Sequence, residues 1–297
     1  MVSDAVSDAA SSPDSREHWR SFAGQFALLG SPLRPCADDV RIMEEMIADE
    51  PEIFGVAAKK RAWLLGVTPE IATLRWPLGV ELIAVERIRE MINSIWPGDT
   101  DNRRAICADW LVAPFPDRSL DLAIGDGCLT AVGFPDELSR LVASVHRCLR
   151  CDGYLMLRLF CRPDIAETPD AVIAALQSGA IGSFHAFKWR LAMAVQGIAD
   201  APDVAVDAVW HIWNAARIDA RELAEAHGWT LAQVGTIGFY RGSPARYNFM
   251  RFDDTIRHLQ HAGFDLVATR TGSYELAGCC PHVLLRKRQG ASGASAS

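Results

Sequence analysis

Between residues 61 and 160 five apolar runs recur: RAWLLG (61–66), VELIAVE (80–86), RRAICAD (103–109), LDLAIGDG (120–127) and YLMLRLF (154–160). Strands that are apolar along their whole length are buried on both faces, and their alternation with helices implies a parallel sheet covered on each side. The clearest helix is PDELSRLVASVHRCLR (135–150), where Leu138, Leu141, Val142, Val145 and Leu149 fall on one stripe. Asp152-Gly153 then turns the chain into the fifth strand. After a helix over 252–263, the runs FDLVATRT (264–271) and PHVLLRKR (281–288) are joined too briefly for a parallel crossover, so they form an antiparallel pair. The expected fold class is α/β: a doubly wound, mostly parallel seven-stranded sheet with an antiparallel last strand.

The rest of the chain lies outside that rhythm. Helices are expected over 16–30 and 38–50; the second opens on aspartates and carries Val40, Met43, Met46 and Ile47 at helical spacing. Residues 16–57 are assigned as an N-terminal helical lid, 58–162 as the core, 163–248 as a mainly helical insertion capping an acceptor pocket, and 249–288 as the end of the core. The small, polar segments 1–15 and 289–297 read as disordered tails.

The formal net charge is −7 and no long basic run occurs; Arg286-Lys287-Arg288 reads as a solvated strand end. This disfavours a nucleic-acid partner, since phosphate neutralisation supplies most non-specific affinity. The first residues lack a basic start and an apolar run, so no secretory signal is expected. No stretch is apolar for long enough to span a bilayer. Of the eight cysteines, Cys107 and Cys161 read as buried small hydrophobes. Cys148 and Cys151 have metal-like spacing without a second pair at finger distance, so no metal is expected. A reducing, cytoplasmic setting and a small-molecule partner follow, with neither nucleic acid nor membrane; a homo-oligomer is compatible.

The order of elements over residues 58–162 and 249–288 resembles a class I S-adenosylmethionine-dependent methyltransferase. The stretch Leu64-Leu65-Gly66-Val67-Thr68-Pro69-Glu70 matches that family's first strand and glycine loop. Gly66 stands for the first glycine; Thr68 and Glu70 replace the later two, and Leu64 stands where an acid is common. Thr68 suits an N-cap and Pro69 a first helical position. The resemblance implies that Glu86, with Arg87 beside it, accepts the cofactor's ribose hydroxyls. It implies that Asp109 receives the adenine amino group, next to Trp110. Asp126 and Gly127 would border the amino-acid end, and Glu70 would meet the ammonium or favour the helix N-terminus. S-adenosylmethionine is thus the implied cofactor, with direct in-line transfer to a small, partly apolar acceptor.

The insertion says less. Trp210, Trp213, Asn214 and Arg217 share a helical face, which suits either core packing or an acceptor wall. Tyr240, Arg241, Arg246 and Tyr247 could line the pocket or recognise a carboxylate. His185 and His211 are the candidate bases, histidine titrating near neutrality. Two other functions stay open. One is a methyltransferase-like protein without catalysis, acting as a binding or partner subunit, which the altered loop suggests. The other is a nicotinamide-dependent oxidoreductase, opposed by the missing G-x-G-x-x-G loop and the antiparallel end.

Overall fold

The computed structural model describes residues 24–56 and 59–289. The core begins with α1 (Ala37–Asp49), β1 (Lys60–Leu65), α2 (Pro69–Ala72), β2 (Val80–Glu86) and α3 (Arg89–Ile95). It continues through β3 (Arg103–Cys107), β4 (Leu120–Asp126), α4 (Asp136–Cys148) and β5 (Leu149–Arg158). The insertion carries α5 (Pro169–Gln177), α6 (Phe184–Ala199), β6 (Val204–Ala205), α7 (Val206–Ala215), α8 (Ala220–His227), α9 (Leu231–Gly235) and β7 (Arg246–Tyr247). Then α10 (Phe252–His261), β8 (Phe264–Arg270) and β9 (His282–Lys287) complete the core.

Seven strands form one sheet in the order β3-β2-β1-β4-β5-β9-β8. β1 to β5 run parallel, and β9 is antiparallel to both β5 and β8. The expected antiparallel ending is present. The strand order reverses between β1 and β4, where a crevice opens outside the carboxyl ends.

Alternate residues of each strand feed two opposite layers. Trp63, Leu65, Val85 and Leu157 meet the Leu138–Val145 stripe of α4 and Ile256 and Leu259 of α10. Leu64, Leu82, Ile124 and Met156 meet Ile42, Met43 and Met46 of α1 and Met91 and Ile95 of α3. Each such buried aliphatic side chain contributes about 1.5–3 kcal/mol. Helix α1 is therefore a covering layer of the sheet and not part of a lid. Trp189, Phe184, Phe187 and Phe249 centre a third cluster inside the insertion.

Several expectations change in detail. Of the helix expected over 16–30, residues 16–23 lie outside the described residues, and Phe26–Leu28 forms only one 3-10 turn. β5 starts at Leu149, with the register shifting between the Leu120–Leu149 and Leu122–Tyr154 pairs. Asp152-Gly153 thus lies within this strand, with Asp152 at φ 60°. Cys107 is exposed, because β3 is an edge strand, whereas Cys161 is buried. The tails assigned to 1–15 and, apart from Gln289, to 289–297 lie outside the described residues. Among the described residues no helix is long and apolar enough to cross a membrane.

Candidate functional site

A cavity of about 1200 Å³, its open mouth included, runs along the carboxyl ends of the parallel strands. Of the residues singled out in the sequence, it brings together Gly66, Thr68, Glu86, Arg87, Asp109, Trp110, Asp126 and Gly127 on the sheet side, and Tyr240 and Tyr247 from the insertion.

The first turn is narrow. Gly66 has φ +96°, a conformation that a side chain disfavours, while a Cβ there would still have ordinary room, 3.7 Å from Trp110 Cζ2. The constraint at this position is backbone angle. The Gly66 N–H donates to the Val85 carbonyl at 2.9 Å, and the Trp110 indole N–H donates to the same oxygen at 2.6 Å. One carbonyl of β2 therefore fixes the loops after β1 and β3 together. Thr68 occupies the N-cap of α2, but its side chain makes no cap bond, and α2 is a single turn begun by Pro69.

Glu86 ends β2 and is 7% exposed. Its Oε1 accepts the Ile88 N–H at 2.8 Å, and the Arg87 main-chain N–H also supports the carboxylate. Burial is the main reason its pKa rises to about 7; the neighbouring Asp109 adds to the rise and Arg87 opposes it. Asp109 caps the turn Trp110–Val112 by accepting the Leu111 N–H at 2.8 Å.

The floor beside β4 rests on contacts that the sequence did not announce. Arg158 Nε donates to Asp126 Oδ1 at 2.6 Å; its Nη1 reaches Asp39 Oδ2 at 3.0 Å and its Nη2 the Pro32 carbonyl at 2.9 Å. Asp39 also accepts the Tyr274 hydroxyl at 2.7 Å. Burial raises the Asp126 pKa, which the Arg158 charge opposes. Gly127, at φ +60°, is needed because a Cβ would come within 2.2 Å of the Phe160 ring. The loop that follows is clamped by buried Asn248, whose Nδ2 donates to the Leu129 and Val132 carbonyls at 2.8 and 3.1 Å.

A strap formed by residues 24–36 borders the cavity and contributes Phe26 and Leu33 to its wall. Side chains hold it by its main chain. Arg158 binds the Pro32 carbonyl, Ser183 Oγ donates to the Ser31 carbonyl at 2.9 Å, and His185 Nε2 lies 3.0 Å from the Leu28 carbonyl.

Both candidate bases fall outside the cavity. His185 is buried against the strap, and burial pushes its pKa down to about 3. His211 is exposed and pairs with Asp207 at 3.0 Å along α7. Glu70 is likewise outside the cavity lining, turned to an ion pair with Arg34, its Oε2 buried without a partner. Trp210 packs under Arg241, Trp213 packs on Phe184 and Phe187, and Arg246 pairs with Asp203, so none of the three lines the cavity. The aromatic-helix expectation fails as a pocket wall because that face packs within the insertion.

No family model matches the chain, and no curated protein matches its sequence. Solved structures match its fold. A Rhodobacter sphaeroides protein provisionally assigned as a zinc-dependent alcohol dehydrogenase aligns at TM-score 0.58 and 12% identity, over 94% of this chain and 100% of that one. The Burkholderia thailandensis 1,6-didemethyltoxoflavin-N1-methyltransferase, solved with 1,6-didemethyltoxoflavin and S-adenosylhomocysteine, aligns at 0.52 and 13%, over 97% and 99%. The 4+2 cyclase SpnF aligns at 0.52 and 11%, over 95% and 100%. At these identities the likeness establishes architecture. The chain has the class I methyltransferase fold.

Proposed function

We propose that the protein is an S-adenosylmethionine-dependent methyltransferase acting on a small, partly apolar acceptor. The observation that carries this reading is Glu86: a buried carboxylate that ends β2 on the cavity wall, where a ribose would sit. Its two oxygens can accept from both hydroxyls of a vicinal diol alongside their main-chain donors. Glu86 is suited to hold the ribose, Asp109 and Trp110 the adenine, and the Gly66 and Asp126-Gly127 turns the amino-acid end. When bound, the cofactor would supply an activated sulfonium methyl for direct transfer to the acceptor. The chain's own work is alignment and exclusion of water by the strap and the insertion.

Calorimetric titration with S-adenosylmethionine, S-adenosylhomocysteine and reduced nicotinamide cofactor tests this reading. The first two are expected to bind the wild type, and Glu86→Ala to weaken them by about 1–3 kcal/mol. Binding of the nicotinamide cofactor instead would sink it.

A second reading, a methyltransferase-like subunit that does not catalyse, draws on one observation. Glu70 sits where the family has a glycine and is held by Arg34, so the first turn lacks the open backbone of a glycine loop. One fold hosts unrelated chemistries, as the cyclase neighbour illustrates. Binding without turnover across a broad acceptor screen would favour this second reading.

A further inference from the structure

Beyond Gly127 the cavity changes character. Phe160 lies against Gly127, its ring centroid is 5.2 Å from that of Trp189 in an edge-on contact, and Trp189 is 5.1 Å from Tyr247. Tyr240 extends the same wall, and Leu33 of the strap also lines the cavity. Aromatic surfaces of this kind favour a partner ring, which can stack or meet them edge to face, over a saturated group of equal size.

The charges lining the cavity narrow the partner further. Among the described residues the lining carries four carboxylates, Glu86, Asp109, Asp126 and Glu137, against one guanidinium, Arg87. Arg87 follows β2, on the far side of β1 and β4 from Phe160, which follows β5. An anion seated on the aromatic wall would face those carboxylates, while Arg158, 5.1 Å from the Phe160 centroid, lies behind the lining and is engaged by Asp126 and Asp39. Lys188 is buried nearby, yet it is not part of the lining. Its Nζ donates to Thr236 Oγ1 at 2.8 Å and sits 5.3 Å from the Tyr240 ring centroid. The Tyr240 hydroxyl makes no hydrogen bond among the described residues, although Tyr240 is only 4% exposed. It is a hydroxyl in the wall of the cavity, available to an acceptor atom of a ligand.

We propose that the methyl acceptor is an uncharged, flat aromatic or heteroaromatic molecule that lies against the Phe160–Trp189–Tyr240–Tyr247 wall and takes a hydrogen bond from the Tyr240 hydroxyl. The proposal rests on the methyltransferase reading for its second ligand, and it deepens that reading by naming the substrate class. Anionic acceptors would want an arginine clamp, and the wall lacks one: Arg246 is engaged by Asp203 outside the cavity.

The test is calorimetry on the full chain with saturating S-adenosylhomocysteine and three bicyclic probes: 2-naphthol, decahydro-2-naphthol and 2-naphthoate. The aromatic neutral probe is expected to bind about tenfold or more tightly than either of the others, on the scale of one neutral hydrogen bond plus ring contact. Tyr240→Phe should lower its affinity by about tenfold without lowering the thermal midpoint, since no protein hydrogen bond is removed. Equal or tighter binding of the saturated or anionic probe overturns the proposal, as does an undiminished affinity in Tyr240→Phe. If S-adenosylhomocysteine itself fails to bind, the methyltransferase reading falls. The three probes titrated into the protein alone then decide this proposal by the same criterion, and absence of any binding counts against it.

Discussion

Asp126 and Arg158 face each other as register partners at the carboxyl ends of β4 and β5, joined by a bond of 2.6 Å with both side chains almost fully sealed from water. The guanidinium also reaches Asp39 at the start of α1, so one cation anchors two carboxylates from different parts of the chain. Replacing it by an apolar side chain strands both acids. Arg158→Met is expected to cost about 3–5 kcal/mol, the usual penalty for an uncompensated buried charge. That corresponds to roughly 10 °C in Tm for a domain of this size. Urea denaturation is the measurement, and a loss below about 1 kcal/mol would show that the network carries little of the fold.

Acid sensitivity should reveal opposing buried groups. Burial lowers the pKa of His185 to about 3 and of His282 to about 4. Both have depressed folded values, so their contribution is present above the unfolded value of 6.5 and is lost as pH falls. Glu86 has a raised folded value, so its contribution is full below 4.5 and lost as pH rises through about 7. Between about pH 6.5 and 4.5 one rising term offsets one of two falling ones. Glu86→Gln should therefore steepen the acid loss of stability by about 1.4 kcal/mol per pH unit. Parallel stability curves for wild type and variant would refute the assignment.

Proton release offers an independent check on Glu86. Diol donors favour the charged carboxylate, so ligand binding lowers its pKa. Near pH 6.5 S-adenosylhomocysteine should release up to about one proton, with affinity rising as pH increases towards 7 and levelling above it. Titrations in buffers of different ionisation enthalpy count that proton. The count should vanish in Glu86→Gln; a release that persists there must come from another group.

The two glycines should fail in different ways. Gly66→Val would put its Cβ in ordinary contact with Trp110 and Glu86 at an unfavourable φ, which costs about 1–2 kcal/mol, and should abolish cofactor binding with the fold retained. Gly127→Ala drives a methyl into Phe160 and should also disturb the aromatic wall. Near-ultraviolet circular dichroism distinguishes them: an altered aromatic signal in the Gly66 variant and an unchanged one in the Gly127 variant would reverse this account.

Asn248 should control the loop after β4. Asn248→Ala leaves the Leu129 and Val132 carbonyls without their donor and is expected to cost about 1–3 kcal/mol. Amide exchange over 128–134 should quicken by about tenfold or more. Exchange that speeds up uniformly along the chain would mean that Asn248 supports global stability and not this loop.

The sheet was legible because β1, β2, β4 and β5 are apolar on both faces and alternate with helices, whereas the edge strand β3 is half-exposed. The turn residues after β1 to β4 were legible because strand ends fix where they project. Arg158 was missed, although a lone arginine inside YLMLRLF was itself the signal: a charge in a doubly buried strand needs a partner. His185 was misassigned because its contact is a main-chain carbonyl 157 positions away, which leaves no trace in local spacing. The tryptophans of α7 carried a helical stripe, but a stripe cannot say whether it faces a pocket or a neighbouring helix.

The strap is gripped by its carbonyls, at Leu28, Ser31 and Pro32, and these oxygens belong to the backbone whatever side chains it carries. Its attachment and its lining role are thus separable. Phe26 and Leu33 can be exchanged for larger, smaller or more polar groups while the three clamps stay in place. Selectivity for the second ligand can drift there, in a lineage or in a library, without renegotiating the fold. The clamping residues enjoy no such freedom, and variation should concentrate in the strap while sparing Ser183, His185 and Arg158.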